Sequence, residues 1–538
     1  MKVNYILPSL AVAALTFASC EDLDTAPQGS TLTTEQKSEI IAAKPERGEA
    51  GVRGIFAGYN VYMPNYTALG ASRHNDFGFC SVMYFTDANL EDQSSANNGY
   101  NWAGNSLEFY DRVYTSNESQ IVWNDHYSII YSANNVCAGY TNSEPKEDDN
   151  EGRFYYAQGL AARAAMYFSL AQLYQFTYKG NESKPCVPII TDENSAQAAI
   201  EGAPRATVQE VYDQITKDIN KAVELLTSNS YKRSDKRYIS LAVALGLRAR
   251  INLVMQNWSA AADDAQAAIE AAANEGISPA KSDEVNKPTF TSSTEKNWMW
   301  GILIAETDDV VQSGIVNWIS HCGTFNYGYG QYSGGHQINK KLYEQIPDTD
   351  VRKGWWSDAN GKSSFGDDYT AYLADYGFAP YTNCKFGTYD GKLECDNNAN
   401  DIPLMRVEEM YLIKAEALAK AGKSDKAGKS GQQVLEDFVK NHRDPAYTCG
   451  GDVQEAVYFQ KRIELWGEGL VWYDLMRLNK GIDRRGGGFD PTVVFVIPAG
   501  DPNLLWRIPM KEINANPAIA ESDNNPSAPQ PTPVADED

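Results

Sequence analysis

The chain has 538 residues, 43% hydrophobic and 22% charged, an ordinary globular composition with enough apolar material for a substantial core. Its 71 acidic residues outweigh 47 Lys and Arg, leaving a net charge of −24. With no basic run to interrupt that excess, nucleic acid is excluded as the expected partner, because phosphate binding rests on clustered cations. Size alone allows two to four domains. The 32 Tyr and 11 Trp suit either a core or a surface that stacks on flat apolar faces.

In chain order, Lys2 precedes an apolar run from Ile6 to Phe17 and the small-residue stop Ala18-Ser19-Cys20. That run is too short for a bilayer span and predicts a signal peptide over residues 1–19. The motif FASC resembles a bacterial lipobox, which implies lipidation of Cys20 and attachment to outer-membrane lipid at the cell surface. Several acyl chains on one Cys anchor stably where a single chain is marginal. The acidic stretch Glu21-Asp22-Leu23-Asp24 is similar to the surface-export signal of Bacteroidetes lipoproteins. Residues 20–40 are expected to be anchor and tether, and residues 41–520 a single domain.

Helical periodicity comes next. Leu160, Ala164, Tyr167, Phe168 and Ala171 mark one amphipathic helix within YYAQGLAARAAMYFSLAQLYQF. Thr207 and Glu210 form a capping box for a helix to Leu226. Residues 240–256 and 259–272 predict a helix pair, repeated at 405–421 and 424–440, with a last helix near 453–467. Residues 298–306, WMWGILIAE, predict a strand. Segments 60–130, 275–400 and 481–510 are rich in Gly, Asn, Asp, Tyr and Trp without sustained periodicity, and read as functional loops. Residues 521–538, acidic and Pro-rich, predict a disordered tail. The pairs, Ala-rich and about 34 residues long, resemble tetratricopeptide units, which stack because none can bury its face alone.

The ordered set AQGLAARAAMYFSLAQLYQF, RATVQEVYDQITKDINKAVELL, QINKKLYEQIPDTDVRKGWW, PLMRVEEMYLIKAEALAKAGKSDKA, KRIELWGEGLVWYDLMR and WRIPMKEINANP resembles the SusD/RagB family of Bacteroidetes surface lipoproteins. The resemblance implies a mostly α fold: four tetratricopeptide-like helix pairs form a scaffold under a large, irregular, loop-rich face. It also implies a non-catalytic protein that captures oligosaccharide or polysaccharide and delivers it to a SusC-like TonB-dependent transporter. A RagB-like branch handles oligopeptides instead.

Other chemistries fail on spacing. The Gly-Lys-Ser triplets at 361, 422 and 428 lack the Gly a phosphate loop needs five residues earlier, and Gly328-Tyr329-Gly330 lacks the third Gly of a dinucleotide fingerprint. No GxSxG elbow or HExxH occurs. Catalytic residues and metal ligands are expected to be none, and cofactors none, with structural Ca²⁺ left open despite the absence of an EF-hand pattern. The acidic pairs Glu409/Glu416 and Glu464/Glu468, with Arg406, Arg462 and Arg477 available, are expected to be structural ion pairs rather than a glycosidase dyad. Seven cysteines besides Cys20 show no CxxC pair; Cys384 and Cys395 leave a short disulfide open, with buried free thiols as the expected outcome.

A pyranose offers C–H patches to an aromatic face and hydroxyls to planar donors and acceptors. Two stretches provide that mixture, NNGYNWAGNS and FNYGYGQYSGG. The expected stacking groups are Tyr100, Trp102, Trp318, Tyr327, Tyr329 and Tyr332, and the expected hydrogen-bonding groups are Asn98 and Asn101. Trp298, Trp300, Trp466 and Trp472 are expected in the core.

Overall fold

A computed structural model describes residues 47–65, 69 and 73–537; the expected signal peptide, Cys20 and the tether lie outside the described residues. Ten longer helices carry the scaffold: α1 (Arg47–Tyr59), α2 (Phe79–Asn89), α3 (Asn117–Cys137), α4 (Asn150–Tyr174), α5 (Val208–Leu226), α6 (Leu241–Val254), α7 (Trp258–Asn274), α8 (Val407–Ala421), α9 (Gly431–His442) and α10 (Val453–Glu464). From α3 to α9 each packs on the next; α1 leans on α3, and α10 on α8. This is the expected mostly helical stack.

Local sequence explains the elements. Thr207 and Glu210 do form a capping box on α5, the Glu210 carboxylate accepting the Thr207 N–H at 2.7 Å, which satisfies donors that a helix start otherwise leaves orphaned. Ala261, Ala265, Ala268 and Ala272 are buried along one side of α7, so α6 and α8 approach it closely. Helix α9 starts at Gly431, later than expected: Asp425 accepts the N–H groups of Ala427 and Lys429 at 2.9 Å each and a bridge joins Ser424 to Ser430, turning the segment into a tight loop. Residues 405–406 are the end of a strand rather than the start of α8.

The region 60–130, expected to be loops, contains α2 and α3. In α2 every residue from Cys80 to Asn89 is buried, so no polar stripe exists to give a period. The tail is a second correction. Asn525 is buried and donates to the carbonyls of Tyr174 at 2.8 Å and Trp506 at 2.7 Å, Val534 donates to the Val494 carbonyl at 2.9 Å, and Glu537 pairs with Lys341 and Arg485. Backbone-directed bonds tie it to the body despite its composition.

Three two-stranded antiparallel ladders tie the loops down: β1 (Gln93–Ser95) with β3 (His336–Ile338), β2 (Trp298–Ile302) with β4 (Ile402–Arg406), and β5 (Ile482–Asp483) with β6 (Val496–Ile497). Trp298, Trp300, Trp466 and Trp472 are core residues, as are Trp355 and Trp356. The seven described cysteines are free and buried, so Cys384 and Cys395 are not joined.

A fully buried charge network locks the C-terminal helices. Glu464 accepts from Arg443 at 2.8 Å, from Arg406 at 2.8 Å and from Arg352 at 3.1 Å; Glu468 takes Arg406 and Lys385. Three guanidinium groups hold the Glu464 carboxyl well below its ordinary value despite burial, which pushes the other way. Glu409 pairs with Arg250, Glu416 with Arg477, and Arg462 with Glu91 and Asp92. The acidic pairs are thus spent on structure.

Candidate ligand-binding face

In an antiparallel ladder the end of one strand lies beside the start of the other. Ser95 pairs with His336, so the loop leaving β1 meets the loop entering β3, and the two aromatic stretches become one surface. Asn98 is the clasp: its Nδ2 donates to the Ser333 carbonyl at 2.9 Å and its Oδ1 accepts the Tyr100 N–H at 3.0 Å.

The second stretch is more regular than its glycines suggest. Tyr329–Ser333 is a single helical turn, packed on the short helix Trp318–Cys322. A Cβ at Gly330 would sit 2.4 Å from the Gly323 carbonyl oxygen, so glycine here permits contact rather than flexibility. Gly334 ends the turn at φ 94°, a conformation that favours glycine.

The rings form two layers. In the outer layer Tyr100, Tyr332 and Tyr327 are 55%, 52% and 45% exposed. Tyr100 and Tyr332 have centroids 5.8 Å apart and planes at 35°, and Tyr327 meets Tyr332 edge-on at 5.7 Å. Partial burial and the neighbouring phenols of Tyr327 and Tyr100 raise the Tyr332 phenol above its ordinary value. Beneath them Trp102 stacks on His74 at 4.9 Å and meets Tyr329 at 5.8 Å, and the Tyr329 hydroxyl is hydrogen-bonded to His74 Nδ1. The Arg73 guanidinium lies 5.4 Å from the Trp102 centroid and is paired with Glu118 at 2.6 Å. Burial and the Arg73 charge lower the His74 imidazole below its usual range, keeping the ring neutral as an acceptor and stacking partner.

Two expected site residues belong elsewhere. Trp318 is 0% exposed, edge-on to Phe386 at 5.0 Å; it plugs the scaffold beneath the Tyr329–Ser333 turn and presents no face to a ligand. Asn101 is buried, its Nδ2 donating to Ser95 Oγ and the Ala96 carbonyl, its Oδ1 accepting from the Tyr84 hydroxyl and the Ala103 N–H; that amide is saturated and braces the loop. Trp102 and Tyr329 support the face from below, and Asn98 is exposed but holds the two loops together. The reading from sequence missed His74 and Arg73, which no local motif marks. Among the described residues no group of three or more His, Cys, Asp or Glu is arranged to hold a metal, and no helix is long and apolar enough to cross a membrane.

Residues 74–253 match a family model described as SusD-like, starch-binding and associating with the outer membrane, and residues 324–526 match the SusD family model. The SusD-like protein P38 of Formosa agariphila is 24% identical over 450 residues, covering 76% of this chain and 80% of that protein. A SusD-like carbohydrate binding protein from Bacteroides vulgatus has a TM-score of 0.72 at 23% identity, covering 89% of this chain and 98% of its own. A laminarin binding SusD-like protein gives 0.58 at 18% identity, covering 90% and 99%. A SusD superfamily protein from Bacteroides thetaiotaomicron gives 0.68 at 21%, covering 90% and 99%. Two family models in succession lead to one conclusion: the chain belongs to the SusD family.

Proposed function

We propose that the tyrosine face captures a glycan outside the cell, without cleaving it, and that the protein passes it to a SusC-like TonB-dependent outer-membrane transporter. One observation carries the reading: three tyrosines, each about half exposed, lie ring against ring on a braced surface. Such rings offer apolar faces and hydroxyls at little entropic cost, the pattern that sugar C–H and O–H groups require. The family's described association with starch and the outer membrane, and a structural neighbour named for laminarin binding, support the same reading. Consumption of the motif carboxylates in ion pairs supports binding over hydrolysis, and attachment through Cys20 fits delivery at the membrane surface.

The test is titration calorimetry of the chain lacking residues 1–20 against a glycan panel that includes laminarin. Tyr332→Ala and Tyr100→Ala are each expected to weaken binding by about tenfold or more, the loss of a stacked ring being worth roughly 1–2 kcal/mol. Chelator should leave affinity unchanged if no cofactor takes part. Salt-sensitive binding of basic peptides, with no glycan bound, would replace this reading with the oligopeptide one, since the chain is strongly acidic. Glycan cleavage products would refute the non-catalytic reading.

A further inference from the structure

One acidic side chain stands at the tyrosine face without a partner. Glu394 is exposed and adopts φ 61°, a left-handed conformation that strains a residue bearing Cβ and that glycine would take freely. The strain is maintained by the fold. The Glu394 N–H donates to the Phe325 carbonyl at 2.9 Å, the Tyr327 N–H donates to the Cys395 carbonyl at 2.9 Å, and Asn398 Nδ2 donates to the Tyr327 carbonyl at 3.0 Å. Residues 394–395 therefore run beside Phe325–Tyr327, held by two backbone hydrogen bonds and one from the Asn398 side chain.

Glu394 thus sits against the segment that carries Tyr327, whose ring meets Tyr332 edge-on at 5.7 Å. The Glu394 charge contributes, after burial and the other phenols, to raising the Tyr332 hydroxyl, and after burial it raises Tyr372, which is pushed up to about 12. Tyr372 is tied to the same turn through Gln331 Nε2 at 2.9 Å. Lys392, two residues before Glu394, pairs with Asp390 at 3.1 Å. Among the described residues the Glu394 carboxylate makes no hydrogen bond or ion pair, whereas other exposed acids of this loop, such as Asp390, are used by their own backbone.

We infer that Glu394 is a specificity-determining residue of the tyrosine face, accepting hydroxyls of a neutral glycan stacked on Tyr332 and Tyr327 and turning away glycans built of uronic acids. This rests on the glycan reading above and narrows its substrate class. An ionised carboxylate accepts two sugar hydroxyls in charge-assisted bonds, stronger than neutral ones. A uronate brought to the same rings would face it with like charge.

The experiment compares wild type, Glu394→Gln, Glu394→Lys and Tyr332→Ala by calorimetry against laminarin and polygalacturonate. Melting temperatures confirm folding, and an exposed position keeps each variant foldable. Glu394→Gln should weaken laminarin about three- to tenfold, the loss of charge-assisted hydrogen bonding. Glu394→Lys should gain polygalacturonate binding that fades as salt rises. If Tyr332→Ala loses laminarin while Glu394→Gln binds both polymers as wild type does, the Glu394 role is overturned and the glycan reading stands. If wild type binds polygalacturonate more tightly than laminarin, the selectivity is overturned. If wild type binds neither, the glycan reading is decided by the wider panel, and the Glu394 role is overturned if Glu394→Gln leaves affinity for the neutral glycan found there unchanged.

Discussion

The region around Glu464 and the surface around Tyr332 use polar groups in opposite ways. At Glu464 three arginines converge on one buried carboxylate, and its neighbour Glu468 takes a lysine and an arginine. At Tyr332 the rings are half exposed, and the nearby Glu394 carboxylate is unpaired. Buried charge is tolerated only when paired, so the first region has no capacity left for a ligand. The second retains capacity that water fills until something better arrives. A binding protein of this kind separates the groups that hold the fold from the groups that meet the ligand.

That contrast can be broken experimentally. The largest effect should come from Glu464→Gln, which leaves three buried guanidinium groups short of charge and should cost about 3–5 kcal/mol in urea unfolding. A loss below about 1 kcal/mol would mean that the network is ornamental. Trp318→Ala should cost a similar 3–5 kcal/mol from the cavity it leaves, with binding by the folded protein retained; loss of binding in a protein of unchanged stability would return Trp318 to the ligand face. Tyr100→Ala reverses the pattern, changing stability by no more than about 0.5 kcal/mol while binding falls.

A last effect concerns pH. Burial raises the Asp87 carboxyl to about 8, opposed by the Gly469 N–H it accepts and by Lys385. A carboxyl raised in the folded state contributes stability fully present below its unfolded pKa near 4, and lost as pH rises toward about 8. Asp87→Asn can keep the Gly469 bond and should flatten the fall in melting temperature across that window. An unchanged slope would show that Asp87 is not the group responsible.

Much of the scaffold was legible because amphipathic helices advertise their period: α4, α5 and the α6–α7 pair lie close to where apolar spacing and the Thr207 cap place them. Helix α2 was not, since burial on all sides erases the period. Helix α3 was hidden differently: Ile121, Ile129 and Ala133 do mark a face, but Asn, Gln, Ser and His between them look like loop composition. At the candidate face the two stretches that composition singled out do meet, and Tyr100, Tyr327 and Tyr332 share a surface. It misjudged Trp318 and Asn101, because a ring or an amide has the same letter whether it meets a ligand or its own chain. His74 and Arg73 were invisible, being brought under Trp102 only by tertiary packing.

The β1–β3 ladder makes the tyrosine face a composite of two loops whose nearest ends are more than two hundred residues apart in sequence, registered by only three residue pairs. Each loop projects beyond the ladder, so its exposed rings can vary without disturbing the strands, provided the Asn98 clasp, the Asn101 brace and Gly330 are kept. A one-residue slip within the ladder, by contrast, would exchange inward and outward side chains on both sides at once. The face is therefore modular at its tips and intolerant at its base: repertoire can diversify by loop exchange between relatives, with His336 and Ser95 as the seam at which grafts must be cut.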